Sequence, residues 1–128
     1  MYDDVIFFDA SEYTTSLRCT VQKTGKIGFS DYTQKKLGIN EMMSIRIGID
    51  GTKDSFKHLI MQLLRDVDPK AFKVNKSGNY YYINPKPLLD ILGINYKKRN
   101  VLFEMVSVDE DKNIFKLVKK EGRANDEE

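Results

Sequence analysis

The sequence predicts a mainly β fold with short helical turns, a small barrel made from two tandem copies of one hairpin-and-turn unit. Three observations predict it. Residues 21–40 read VQKTGKIGFSDYTQKKLGIN and residues 74–95 read VNKSGNYYYINPKPLLDILGIN, so the chain states one pattern twice. Val21, Lys23 and Gly25 precede Val74, Lys76 and Gly78 by 53 positions, and Leu37-Gly38-Ile39-Asn40 precedes Leu92-Gly93-Ile94-Asn95 by 55. A spacing kept over this length marks an internal repeat. Apolar residues alternate with polar ones at period two, the signature of strands with one buried face.

Each element follows in order. Leu17, Cys19 and Val21 alternate with Arg18, Thr20 and Gln22 as a first strand. Thr24-Gly25 turns the chain, glycine supplying the positive φ of a tight hairpin. Ile27 and Phe29 continue the return strand. Ser30-Asp31 caps a short helix over 32–37, which Gly38 stops. Ile45, Ile47 and Ile49 then face inward from a third strand. The second copy repeats the plan: Phe72 and Val74 stand for Cys19 and Val21, Ser77-Gly78 turns, and residues 80–83 return. Pro85-Lys86-Pro87 opens a helical turn over 88–92, since proline is tolerated in the first helical positions. Val101, Phe103 and Met105 stand for Ile45, Ile47 and Ile49, residues 109–113 form a loop, and residues 114–118 a fourth strand.

Residues 54–66, DSFKHLIMQLLRD, carry two patterns. Taken alone they read as a capped amphipathic helix with Phe56, Leu59, Ile60, Leu63 and Leu64 on one side. By repeat position they match residues 114–118, which predicts a strand centred on 58–63, because tertiary context overrides local propensity. The chain is thus read as a single domain over 1–128, with repeats at about 17–64 and 70–118, a linker at 65–69 and an acidic tail at 121–128. Val21, Ile27, Ile45, Ile47, Val74, Val101 and Phe103 form its expected core.

The net charge of +2 conceals a segregation. Residues 13–120 hold 20 Lys and Arg against 11 Asp and Glu, a body of +9 between two acidic ends. Such a body favours polyanionic partners, or forms an ordinary solvated lysine surface. No apolar run reaches the roughly 18 residues of a membrane span. The acidic start MYDDVIFFDASEY, with only residues 5–8 apolar, reads as no signal peptide. One cysteine excludes an intramolecular disulfide and fits a reducing cytoplasm, the expected location. Cys19 alternates with Leu17 and Val21 and reads as a small buried hydrophobe. The tail from Gly122 onward, whose one apolar residue is Ala124, is expected to be disordered or held only by neighbours.

Enzyme chemistry finds no support in the residue pattern, and no cofactor is expected. His58 is the one histidine and lies in an apolar run, and no second histidine or cysteine cluster offers metal ligands. Asp109-Glu110-Asp111 lacks the glycine and distal glutamate of a calcium loop and reads as a hairpin tip. Gly25 and Gly78 are turn glycines rather than part of a phosphate loop. In Tyr80-Tyr81-Tyr82, period two puts Tyr80 and Tyr82 on one face. That pair is expected inside the barrel, with Tyr81 outside, open to a base or a protein partner. Lys97-Lys98-Arg99 reads as a solvated turn.

The strand, glycine turn, short strand, helical turn ending Leu-Gly-Ile and further strand resemble the swapped-hairpin unit of the AbrB family, which includes MazE-type antitoxins and MraZ. The family pattern resembles Gly-Arg-(Ile/Val)-x-(Ile/Leu)-Pro followed by Leu-Gly-Ile. Its counterparts are Gly25-Lys26-Ile27-Gly28-Phe29-Ser30 with Leu37-Gly38-Ile39, and Gly78-Asn79-Tyr80-Tyr81-Tyr82-Ile83 with Leu92-Gly93-Ile94. The resemblance implies a pseudo-dimeric swapped-hairpin barrel, two units in one chain as in MraZ. A unit of about 45 residues buries too little apolar surface alone. It also implies a transcriptional regulator binding duplex DNA through bases near the hairpins: Lys26 at the Gly-Arg site with Lys23, Lys35 and Lys36, and Asn79 at the second such site with Lys76 and Lys86. Neither copy keeps the family's Arg or Pro. Lysine lacks arginine's bidentate fork, which favours phosphate contact over base readout. The alternative is a non-enzymatic protein-interaction module, antitoxin-like or a mobile-element accessory, that has lost DNA binding. Homo-oligomerisation is left open.

Overall fold

A computed structural model describes residues 3–8 and 16–120; the expected disorder beyond Gly122 lies outside them. Among the described residues, nine strands and two helices succeed one another. They are β1 (Arg18–Val21), β2 (Ile27–Phe29), α1 (Asp31–Leu37), β3 (Ser44–Gly51), β4 (Phe56–Leu64), β5 (Phe72–Lys73), β6 (Asn75–Ser77), β7 (Tyr80–Ile83), α2 (Lys86–Ile91), β8 (Val101–Asp109) and β9 (Ile114–Lys119). The residues 54–66 with two patterns contain strand β4, whose Leu59, Met61 and Leu63 are buried in alternation. Ladders with β3 and β9 satisfy its backbone, and a helix in this place would leave the facing edges of those two strands without partners.

The strands form one antiparallel sheet in the order β5-β3-β4-β9-β8-β1-β2-β7-β6. Its two edges, β5 and β6, are one extended segment divided at buried Val74, so the sheet curls into a nearly closed barrel. Hairpins from residues before 65 alternate around it with hairpins from residues after 70. Four antiparallel ladders join the halves, β1–β8, β3–β5, β2–β7 and β4–β9; in the last two, Ile27 opposes Ile83 and Leu59 opposes Leu117. All four side chains are buried. The barrel interior holds Cys19, Val21, Ile27, Ile45, Val74, Val101 and Phe103, with Ile47 packed against them partly exposed.

Ladder register revises two correspondences drawn from sequence. Val21 opposes Val101, and the Val74 N–H donates to the Met43 carbonyl at 3.2 Å. Met43, Ile45 and Ile47 therefore occupy the places of Val101, Phe103 and Met105. The longer passage over 96–100, compared with Glu41 and Met42, absorbs the difference. In the second hairpin, Ile83 takes the place of Ile27, so Tyr82 rather than Asn79 matches Lys26 and the hairpin runs three residues further. The same register reverses the expected tyrosine faces. Tyr81 shares the inward face with Ile83 and packs on the core, while Tyr80 and Tyr82 face outward with ring centroids 6.1 Å apart. Burial of the isoleucine sets the register, and the tyrosines follow by alternation.

Each Leu-Gly-Ile closes a helix in the same way. Gly38 and Gly93 have φ of 62° and 72°, and Ile39 and Ile94 donate to the carbonyls of Gln34 and Leu89. These left-handed positions favour glycine, and the bonds satisfy terminal carbonyls. At the other end of α1, the Ser30 hydroxyl accepts from the Thr33 N–H at 3.2 Å.

A core shared between the halves predicts one unfolding transition. Met61→Ala and Leu117→Ala should each destabilise by about 2–5 kcal/mol. Tyrosine fluorescence and far-UV circular dichroism should still report a single coincident denaturant midpoint for each variant.

Candidate nucleic-acid interface

The basic residues singled out in the sequence fall into two groups, each where a hairpin tip of one half meets a helix of the other. In the first group, Gln22 N–H donates to the Lys26 carbonyl at 2.8 Å and Gly25, at φ 88°, turns the chain. The Lys86 side chain of α2 lies against Gly25: a Cβ there would come within 2.6 Å of its methylenes. Lys26 ammonium sits 4.6 Å from the centroid of the Tyr82 ring, a cation–π contact. The Lys23 N–H donates to the Asn100 side chain at 3.1 Å, tying this tip to the start of β8.

The second group lines a shallow groove of about 420 Å³ between α1 and the β6–β7 tip, where Lys35, Lys76 and Asn79 meet. Gln34 builds it. Its side-chain oxygen accepts from the Tyr81 N–H at 2.8 Å, and its amide donates to the Asn79 carbonyl at 3.1 Å. Gln34 is buried and acts as one more rung beside β7. Lys76 opposes Tyr81 across the ladder, with its ammonium 5.7 Å from the ring centroid. Because Tyr81 and Tyr82 alternate, Lys76 and Lys26 approach β7 from opposite faces. Lys36 is exposed on α1 beside Lys35 and lines neither contact.

Two of the lysines are partly neutralised. Lys35 pairs with Asp31 and Lys86 with Asp90, both at 3.0 Å and four residues apart on a helix. Among the described residues, Lys23, Lys26, Lys36 and Lys76 form no ion pair. Asp90 also accepts from the Tyr96 hydroxyl at 2.5 Å. That bond, then the Lys86 ammonium, holds the Asp90 carboxyl below its usual range, while the same hydrogen bond raises the Tyr96 phenol. Tyr96 is wholly buried and fastens the segment after Leu-Gly-Ile-Asn to α2.

Sequence reasoning found the lysines and missed the polar residues that position them. Gln34, Gln22 and Tyr96 carry no motif; their roles come from burial beside unpaired groups, which appears only once the ladders are set. Tyr80 shows this well. Its phenol lies over Gly28 and meets the Gln22 amide, in the space a Cβ on Gly28 would fill. Burial raises the Tyr80 phenol pKa. Cys19 is buried as expected, and desolvation pushes its thiol up to about 12.

No group of three or more metal-ligating side chains occurs among the described residues. No helix among them is long and apolar enough to cross a membrane. Comparison with protein-family models, curated proteins and solved structures finds no match to this chain.

Three outcomes check this geometry. Gln34→Leu should leave the Tyr81 N–H and the Asn79 carbonyl unsatisfied, costing about 1–3 kcal/mol for each buried group, with faster Tyr81 amide exchange. The thiol of Cys19 should resist alkylation at pH 8 in the native state and react only as denaturant unfolds the chain. Tyr96→Phe should lower the melting temperature at neutral pH. Asp90 has its folded pKa depressed, so the stability from its hydrogen bond is present above the unfolded carboxyl pKa and is lost as pH falls through the folded one. The melting-temperature gap between wild type and Tyr96→Phe should therefore close on acidification.

Proposed function

We propose that the chain is a cytoplasmic, AbrB-like swapped-hairpin regulator that binds duplex DNA through phosphate contacts. In this reading, residues 17–64 and 70–118 are two repeats of one pseudo-dimeric unit, each lending its hairpins to the other. The observation that carries it is the placement of unpaired Lys23, Lys26 and Lys76 at hairpin tips, each tip held by the helix of the opposite half. Alternation of the hairpins around the barrel, and the Ile27–Ile83 and Leu59–Leu117 pairs, support the repeat organisation. Lysine contributes point charge, so binding rests on counterion release and is weakly sequence-selective.

A second reading, a protein-interaction module without DNA binding, is favoured by two observations. Lys26 and Lys76 approach β7 from opposite faces, where a DNA-binding regulator needs the lysines of both repeats on one surface. The segment over 3–8 is exposed. Ile6 and Phe7 are 78% and 90% exposed, more apolar surface than a self-contained regulator needs.

Titration with random-sequence duplex at several salt concentrations separates the two. DNA binding predicts a linear fall of log affinity with log salt, with each phosphate contact contributing about 0.9 to the slope. Replacing Lys23 and Lys26 together with alanine should flatten the slope by about two and weaken all sequences alike. Wild-type protein with no salt-sensitive affinity would leave the interaction module as the function.

A further inference from the structure

The ladder between β4 and β9 covers only one side of the Leu59–Leu117 pair. It runs from that pair to Gln62–Ile114 and stops. On the other side, residues 56–58 of β4 and 118–119 of β9 continue as strands without pairing to each other. The register that matches Ile47 with Met105 matches Met61 with Leu117 and Leu59 with Phe115, so the ladder is symmetric about Ile60–Lys116 and the one rung missing is the mirror of Gln62–Ile114, between His58 and Val118. A groove of about 350 Å³ opens there instead. Its floor is apolar, with Phe56, Ile94, Val101, Phe103 and Leu117, and Lys57 and Lys119 stand at it without an acidic lining residue.

His58 lines the same groove. A bulge between β3 and β4, where Ile49 opposes Leu59 but Gly51 opposes Phe56, sets His58 opposite Asp50. Its Nδ1 lies 3.9 Å from the Asp50 carboxylate and, although buried, has no hydrogen-bond partner. A buried polar atom without a partner is uncommon in a finished interior. The groove therefore combines an apolar floor and an unpaired strand edge, with the buried His58 Nδ1 turned toward Asp50 behind it.

The complementary surface lies on the same chain. Asp3-Asp4-Val5-Ile6-Phe7-Phe8 holds no regular structure beyond a turn at Asp3-Asp4, and its apolar residues stand exposed. We propose that this acidic-apolar segment of a second copy docks in the β4–β9 groove. Its apolar side chains cover Phe56, Ile94 and Phe103, and Asp3 and Asp4 face Lys57 and Lys119. Its extended backbone meets the free edge of β4, in the manner of strand addition to an exposed sheet edge. A second copy is the occupant because the segment's own groove stands open while Ile6 and Phe7 remain exposed on the same molecule. Reciprocal exchange between two copies closes a two-fold dimer.

The test uses the full chain and three variants. Sedimentation velocity should show wild type passing from monomer to dimer with concentration. Ile6→Ser with Phe7→Ser, and Lys57→Glu with Lys119→Glu, should each abolish the dimer. Adding Asp3→Lys and Asp4→Lys to the Lys57→Glu, Lys119→Glu protein should restore it. A synthetic peptide of residues 3–8, added to the Ile6→Ser, Phe7→Ser protein, should shift the imidazole resonances of His58, which are unambiguous because the chain has one histidine. The proposal fails if wild type stays monomeric and the peptide moves no His58 signal, or if dimers persist in both double variants. It also fails if the His58 signals of dilute, monomeric wild type already differ from those of the Ile6→Ser, Phe7→Ser protein, which places the segment in its own groove.

Discussion

Antiparallel pairing of Ile27 with Ile83 and of Leu59 with Leu117 is the constraint on which the rest of the structure depends. Each pair joins the chain before residue 65 to the chain after residue 70, and each is buried. Neither half could cover its own apolar face, because a unit of this size buries too small a share of its surface. The alternation of hairpins follows from that shortage. Each hairpin finds on both sides a hairpin of the other half, and the segment through Val74 serves both sheet edges at once. Edge exposure, the usual hazard of antiparallel sheets, is confined to short stretches.

Much of this was legible in the sequence, for a physical reason. Turn glycines and the Leu-Gly-Ile stops act locally, so Gly25, Gly38, Gly78 and Gly93 announce their positions without tertiary information. Strand β4 was harder, because residues 54–66 satisfy a helical pattern as well as a strand pattern; only the ladders with β3 and β9 decide it. Register was not legible. Counting from the turn glycine puts Tyr80 where Ile27 stands, whereas the first inward anchor shared by the two hairpins is Ile83, so the three tyrosines of β7 take the opposite faces. A difference of a few residues between glycine and first inward side chain is invisible to a motif and reverses every face in a strand.

The candidate site was legible as charge and not as geometry. Lysines are recognisable in any context, but the side chains that hold them are ordinary polar residues whose value depends on which backbone groups lack partners. Gln34 stands one turn into α1, where nothing distinguishes it from a surface residue until the β6–β7 tip arrives. It then satisfies a donor and an acceptor together, which fixes the distance between Lys35 and the tip that carries Lys76. The approach of Lys26 and Lys76 to β7 from opposite faces has the same origin. Lengthening the second hairpin carried Lys76 outward past the position that Tyr82 shares with Lys26.

Helices α1 and α2 show how a repeat diverges without losing its frame. Asp31 and Lys35 in α1 stand where Lys86 and Asp90 stand in α2, the same pair with its order reversed. In α1 the acid lies in the first turn and the base in the last, the arrangement the helix dipole favours. In α2 the carboxylate of Asp90 lies near the C-terminal end, where the dipole opposes it. Tyr96 compensates: its hydroxyl donates to Asp90 from a buried position, and Lys86 supplies the opposing charge. Tyr96 belongs to the passage that is longer in the second half, so the added residues supply the donor that the reversed pair requires. Reversal of the pair and extension of the loop are two parts of one adjustment, and either alone would leave Asp90 unfavourably placed.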